Sequence, residues 1–255
     1  MSGGPALPII VDSATTKSVL IQTYFNETHL GWGTGFVIDS RRGPLLISAR
    51  HVFTGRHQDS SLPLHSACGI PNRILVWLIH GPQLGSWQAC EQPILTASEQ
   101  PLWIEHPTFG ALADVAALPL HVPDSVRVKP YDLGVPQVQL RIGPADVVSV
   151  VGFPFGLSAG GRFAIWVTGF VASDIGLNYG EYPRFLIDCR SRPGQSGSPV
   201  VARREGTYNT TQGVMVGAGQ VTELLGVYSG RVNEESDLGF VWKLSVLREL
   251  VDALE

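Results

Sequence analysis

Apolar residues in this chain come in short runs, and nearly every run is stopped by glycine, proline or a polar turn. The runs fall at residues 18–25, 31–38, 45–48, 73–80, 102–104 and 114–118, then at 138–142, 146–152, 162–172, 184–188, 199–202, 224–229 and 239–242. Runs of four to eight residues bounded by turn signals are strands, and many of them in succession predict an antiparallel barrel or sandwich. The 29 glycines and 18 prolines among 255 residues suit such a chain better than one of long helices. Only the tail, 244–254, places apolar residues three and four apart, and it predicts one amphipathic C-terminal helix.

The prolines at 119, 123, 130 and 136 divide the runs into two groups. The expected organisation is a flexible lead-in at 1–17, a first barrel at 18–120 and a connection at 121–136. A second barrel at 137–243 and the helix at 244–255 follow. The stretch 54–110 reads as an insertion in the first barrel, either regulatory, substrate-contacting or a surface decoration.

Net charge is −4 and no run of Lys or Arg exists, which argues against nucleic acid and anionic membrane as partners. No run approaches the roughly 20 apolar residues of a membrane span. Met1-Ser2-Gly3-Gly4-Pro5 lacks the basic start and apolar core of a signal peptide. Cys68, Cys90 and Cys189 cannot all pair within one chain, so a reducing, cytoplasmic setting is expected, with a Cys68–Cys90 bridge left open. Without secretion, the glycosylation patterns at Asn26 and Asn209 are chance matches. No cofactor or metal is expected.

One turn stands apart: Arg192-Pro193-Gly194-Gln195-Ser196-Gly197-Ser198-Pro199. A serine at the tip of a Gly-rich turn is either an ordinary turn residue or a nucleophile. A serine nucleophile needs a base, a group that orients the base, and donors for the oxyanion. Among the seven histidines, His51 follows an apolar strand directly, which predicts a fixed position at a strand end. The other six read as surface or hydrogen-bonded core residues; His57 and His65 sit in a polar loop, and His106 and His121 lie near prolines. The orienting carboxylate should lie inside an apolar run, as Asp114 does in Ala111-Leu112-Ala113-Asp114-Val115-Ala116. Glu105 and Asp146 are weaker alternatives. Cys189 lacks the turn context of a thiol nucleophile and reads as a small buried residue.

These stretches carry a resemblance. Ser48-Ala49-Arg50-His51 resembles the Thr-Ala-Ala-His of the chymotrypsin-type serine proteases, Asp114-Val115-Ala116-Ala117-Leu118 their Asp-Ile-Ala-Leu-Leu, and Gly194-Gln195-Ser196-Gly197-Ser198-Pro199 their Gly-Asp-Ser-Gly-Gly-Pro. In the second half, Val150-Val151-Gly152-Phe153-Pro154-Phe155-Gly156-Leu157, the strand at 163–172 and Leu238-Gly239-Phe240-Val241 look most like the HtrA-type branch, without its PDZ domain. The resemblance implies an all-β fold of two six-stranded antiparallel barrels, His51 and Asp114 coming from the first and Ser196 from the second. It implies hydrolysis of peptide bonds in protein or peptide substrates, with the N–H groups of Gly194 and Ser196 as the oxyanion hole. By the same resemblance, Arg190, Ser191 and Arg192 with Tyr228, Ser229 and Gly230 wall the primary substrate pocket. No carboxylate matches the pocket bottom, so Lys or Arg preference is not expected; Arg190 or Arg192 either favours an acidic side chain or points to solvent.

The chain also departs from the secreted family members. Gln195 stands where those enzymes carry an acid that pairs with a freed N-terminus, so no activating cleavage is expected. Their cysteines beside the catalytic histidine are missing. Ser198 replaces a glycine, and its Cβ and hydroxyl are either tolerated or distort the turn. The alternative to an active enzyme is a silent or latent relative that binds peptides or protein partners in the same cleft. The oligomeric state is not legible.

Overall fold

A computed structural model of the chain describes residues 10–254, apart from residues 83, 135, 137 and 234. Residues 1–9 of the expected lead-in lie outside the described residues. The remainder of that segment is not an irregular tail: α1 (Ser13–Lys17) is capped by the Asp12 carboxylate and buries Ala14 and Thr16.

The first half contributes β1 (Ser18–Phe25), β2 (Thr28–Ser40), β3 (Gly43–Ser48), the short helix α2 (Arg50–Thr54), β4 (Arg73–His80), β5 (Trp87–Pro93), β6 (Ile104–Glu105), β7 (Ala116–Pro119) and β8 (Val126–Arg127). They form one antiparallel sheet in the order β5-β4-β1-β2-β3-β7-β6, with β8 on β4. The 13-residue β2 links the two sides of this sheet, because it pairs with β1 over its first part and with β3 over its last. The second half contributes β9 (Val147–Gly152), β10 (Ile165–Val171), β11 (Arg184–Asp188), β12 (Pro199–Thr210), β13 (Gly213–Arg231) and β14 (Leu238–Lys243), followed by α3 (Leu244–Asp252). These six strands close into an antiparallel barrel, β10-β11-β14-β13-β12-β9. The expected all-β architecture with a C-terminal helix therefore holds, and the second half is the expected six-stranded barrel. The first half departs from the expected six-stranded barrel, with seven strands along an open path and β8 paired to β4 off it.

Three other expectations need correction. The stretch 54–110 is not an insertion, since it supplies β4, β5 and β6 of the first sheet. Its apolar positions at 74, 76 and 78 alternate into the core, as a half-buried strand requires. The run at 138–142 forms no strand and only bridges Leu140 to Thr210. Conversely, β12 and β13 reach far beyond their apolar runs as a long hairpin. Arg203, Glu205 and Thr207 are exposed along it and Val214, Met215 and Val216 are exposed near its turn, so its outer part carries no alternating apolar pattern.

The two halves share a core. Leu20, Phe36 and Ile47 of the first sheet and Val151, Val227 and Trp242 of the second belong to one cluster, with Val246, Leu247, Leu250 and Val251 of α3. Burying each side chain of that size stabilises by about 1.5–3 kcal/mol, so α3 pins the junction. The cysteines are unpaired, Cys68 exposed and Cys90 and Cys189 buried.

Candidate active site

His51 lies within α2 rather than at a strand end. The helix starts two residues after β3 and is ended by Gly55 in the left-handed conformation (φ 62°). This single turn aims the imidazole at Asp114, in the loop before β7. Ring Nδ1 stands 2.7 Å from Asp114 Oδ2, and the His51 backbone N–H donates to Asp114 Oδ1 at 2.9 Å. An ionised carboxylate only accepts, so the proton sits on Nδ1 and Nε2 is left as the basic nitrogen. Asp114 is 5% exposed, and these two donors satisfy its buried charge. Burial pulls the His51 pKa down, but the charge of Asp114 and the hydrogen bond to it outweigh burial and raise it.

Ser196 lies in the turn before β12. Gly194 (φ 93°) and Gly197 (φ 86°) supply its two left-handed residues. A Cβ on Gly194 would meet Phe153 O at 2.4 Å, and one on Gly197 would meet Thr34 O at 2.2 Å. The turn is tied to β13 by Gly197 N–H donating to Tyr228 O and Tyr228 N–H donating to Ser198 O. It is tied to the first sheet through Thr34, which no motif marked. Thr34 N–H donates to Ser196 O at 2.9 Å, and Thr34 Oγ1 donates to Gly194 O at 2.8 Å. The same Thr34 hydroxyl accepts from Phe153 N–H at 3.1 Å.

The oxyanion geometry follows from one peptide. Pro193 O accepts from Phe155 N–H at 2.6 Å. The Pro193–Gly194 peptide is trans, so the Gly194 N–H points the opposite way. Among the described residues neither Gly194 N–H nor Ser196 N–H has an acceptor. Two unpaired amides two positions apart, with Gln195 between them, can receive a developing oxyanion beside the serine hydroxyl.

Ser196 and His51 line one cleft of about 650 Å³, together with Asp114. The Ser196 hydroxyl donates to Ser229 O at 3.5 Å and makes no hydrogen bond to the imidazole. Of the residues expected to wall the pocket, Ser229 and Gly230 line this cleft. Ser191 and Tyr228 are instead buried and hydrogen-bonded to each other through their hydroxyls, the Tyr228 ring packing over Gly239. Arg192 donates from Nη1 to Ser191 O, while Arg190 is exposed; neither lines the cleft. Other walls escaped the sequence reading, among them Leu64, Leu112, Tyr182, Arg184, Phe240 and Trp242, with Asp59 and Arg231 as further charged lining residues. Phe240 and Leu112 lie in stretches that the sequence singled out for other reasons, but nothing local marks any of these residues as a cleft wall, and only the folded chain gathers them.

The departures at 195 and 198 are accommodated locally. Gln195 is buried and its Oε1 accepts from Arg192 N–H, closing the turn by a neutral hydrogen bond. Ser198 fits because Gly152 has no side chain; a Cβ there would lie 2.1 Å from Ser198 Oγ. The turn's positive φ angles fall on glycines alone, while Ser198 Oγ and Gln195 Nε2 are buried without a hydrogen-bond partner among the described residues. Glu105 pairs with Arg50 at 2.7 Å and Asp146 with Arg204 at 2.9 Å, so neither weaker carboxylate orients His51. Burial pushes the Cys189 thiol up to about 11, which keeps it protonated and unreactive. Among the described residues no His, Cys, Asp or Glu cluster could hold a metal.

Two β units joined along a shared core, with the Ser196 turn and the His51–Asp114 pair lining one cleft, make up a peptidase-type fold. Residues 33–208 match the family model described as the trypsin-like peptidase domain, and the chain belongs to that family. Similar solved structures include a serine endoprotease from Yersinia pestis (17% identity, TM-score 0.54, covering 97% of this chain and 67% of that one). The thermostable serine protease AL20 from an extremophilic microorganism is similar over 95% of this chain and 98% of its own (12% identity, TM-score 0.53). The protease Anisep from Arthrobacter nicotinovorans is similar over 93% and 94% (12% identity, TM-score 0.52). At these identities the likeness is one of fold. No curated protein matches the sequence.

Proposed function

We propose that the protein is a serine endopeptidase in which Ser196 is the nucleophile, His51 the base and Asp114 the group that orients it. Ser196 Oγ attacks the scissile carbonyl carbon while His51 Nε2 takes the hydroxyl proton. The N–H groups of Gly194 and Ser196 stabilise the tetrahedral oxyanion. Its collapse breaks the C–N bond, and the imidazolium gives its proton to the leaving amine. Water, deprotonated by the same imidazole, then hydrolyses the acyl-enzyme.

The observation that carries this reading is the pair of bonds from His51 to Asp114, 2.9 and 2.7 Å, in the cleft that Ser196 lines. Family membership supports protein substrates. The three free thiols support a reducing, cytoplasmic setting. One observation favours a latent resting form as the second reading: the Ser196 hydroxyl leans on Ser229 O instead of the imidazole.

The test is fluorophosphonate labelling of the wild type beside Ser196→Ala and His51→Ala, read by intact mass. Rapid labelling of the wild type alone is the expected outcome. Slow labelling that accelerates when peptide is added would favour the latent form. An unlabelled, folded wild type under all these conditions would end the peptidase reading.

A further inference from the structure

The cleft holds one cation with an unusual setting. The Arg184 guanidinium lies 4.1 Å from the Phe240 ring centroid, 5.2 Å from Tyr182 and 5.8 Å from both Tyr179 and Trp242. Arg184 Nε donates to Tyr179 O at 3.4 Å, and among the described residues Nη1 and Nη2 have no hydrogen-bond acceptor. No described carboxylate reaches it within ion-pair distance, whereas Arg50 in the same cleft is already taken by Glu105 at 2.7 Å.

That combination has a chemical meaning. Aromatic faces attract the cation and restrict its rotamers, so the planar fork is held ready without being neutralised. Half-buried, the guanidinium has lost part of its water, and a ligand carboxylate would meet it in a medium where charge-assisted bonds are strong. Burial lowers the Arg184 pKa, with Asp59, Tyr182 and Tyr179 opposing, yet a guanidinium stays charged at neutral pH.

We infer that Arg184 is a specificity-determining residue that binds an Asp or Glu side chain of the substrate peptide while Ser196 attacks a nearby bond. The inference rests on the peptidase reading above. It moves the expected acid preference from Arg190 or Arg192, which lie outside the cleft, to a residue that lines it.

The experiment digests a proteome-derived peptide library with the wild type, Arg184→Leu and Arg184→Glu, and maps residue frequencies around the cleaved bonds. Fluorophosphonate labelling of each variant runs in parallel as a measure of the intact nucleophile. The expected result is enrichment of Asp and Glu at one fixed distance from the cleaved bond in the wild type. The matching kcat/KM falls ~10-fold or more in Arg184→Leu, as for a lost hydrogen bond to a charged group. Arg184→Glu should invert the preference towards Lys and Arg, and it carries the test if the leucine variant fails to fold. Cleavage by the wild type without acidic enrichment, or unchanged enrichment in a variant that labels normally, overturns the inference. If the wild type neither labels nor cleaves, the peptidase reading has failed and the anion site is judged alone. The readout is then the Arg184 Nε–H NMR resonance during titration with acetyl-Glu-Ala-Ala-amide and acetyl-Gln-Ala-Ala-amide. Equal responses to the two peptides overturn the site.

Discussion

The hydroxyl of Thr34, on a strand of the first sheet, donates to the carbonyl oxygen of Gly194 in the nucleophile turn of the second at 2.8 Å, across 160 residues of chain. Thr34 is buried, and its N–H, C=O and hydroxyl are all engaged, the carbonyl by Ser48 Oγ at 2.7 Å. One residue thus holds the Gly194–Ser196 turn against the strand that leads to His51. The relative position of nucleophile and base depends on this clasp as much as on either motif.

Thr34→Val keeps the shape of the side chain and removes its hydroxyl. Gly194 O and Phe153 N–H then lose their partner inside the core. The cost should be about 1–3 kcal/mol of folding stability, read by urea denaturation. Fluorophosphonate labelling should slow while the mass profile stays that of a folded protein. Unchanged labelling would mean that the turn holds its own shape.

His51 titrates above its ordinary value of about 6.5, because Asp114 outweighs burial. Attack needs the neutral imidazole, so the labelling rate should climb with pH through a midpoint above about 6.5. The sign for stability is opposite. A raised folded-state pKa stabilises fully below the unfolded value of about 6.5, and that contribution is lost as pH rises through the folded value. Asp114→Asn removes both raising influences and leaves burial, which moves the midpoint down. It should also favour the wrong imidazole tautomer and cut the rate by ~10⁴. A pH–rate profile of the two proteins checks both effects.

Ser198 and Gly152 occupy one space between them. Gly152→Ala would drive a Cβ to 2.1 Å from Ser198 Oγ and 2.7 Å from Thr34 Oγ1. It should destabilise by about 1–3 kcal/mol, as overpacking does, and slow labelling. Adding Ser198→Gly should recover most of the loss, because it removes the nearer clash. A double-mutant cycle in urea measures the coupling, and strict additivity would show that the two residues do not compete.

The thiols provide a check on the unbridged fold. Cys68 is exposed, whereas Cys90 and Cys189 are buried with pKa values pushed up by burial. Iodoacetamide should modify one thiol of the native protein and all three after unfolding, counted by intact mass. Two native thiols lost together under mild oxidation would reveal a bridge that the structure does not contain.

Local features carried much of the answer in the sequence itself. The two-residue alternation of β4, the turn signals around β1 to β3 and the three-and-four spacing of α3 are all written in consecutive residues. So are the surroundings of His51, Asp114 and Ser196, because the apolar runs beside the first two and the Gly-rich turn of the third are short-range features. The helical turn that carries His51 was not among them. The outer part of the β12–β13 hairpin left no such trace, since most of it is solvated and its apolar residues Val214, Met215 and Val216 are consecutive and exposed rather than alternating into a core. Which face each strand turned to the cleft was also undetermined. A shift of one residue reverses every side chain, and register is set by packing across sheets. Hence only the tertiary structure decided that Tyr228 points inward to Ser191 rather than walling a pocket. It alone brought Arg184 among four aromatic rings in the cleft that Ser196 lines, and put the Thr34 hydroxyl on Gly194. Those contacts join residues far apart in the chain, and their existence depends on the closure of one barrel and its shared core with the other sheet.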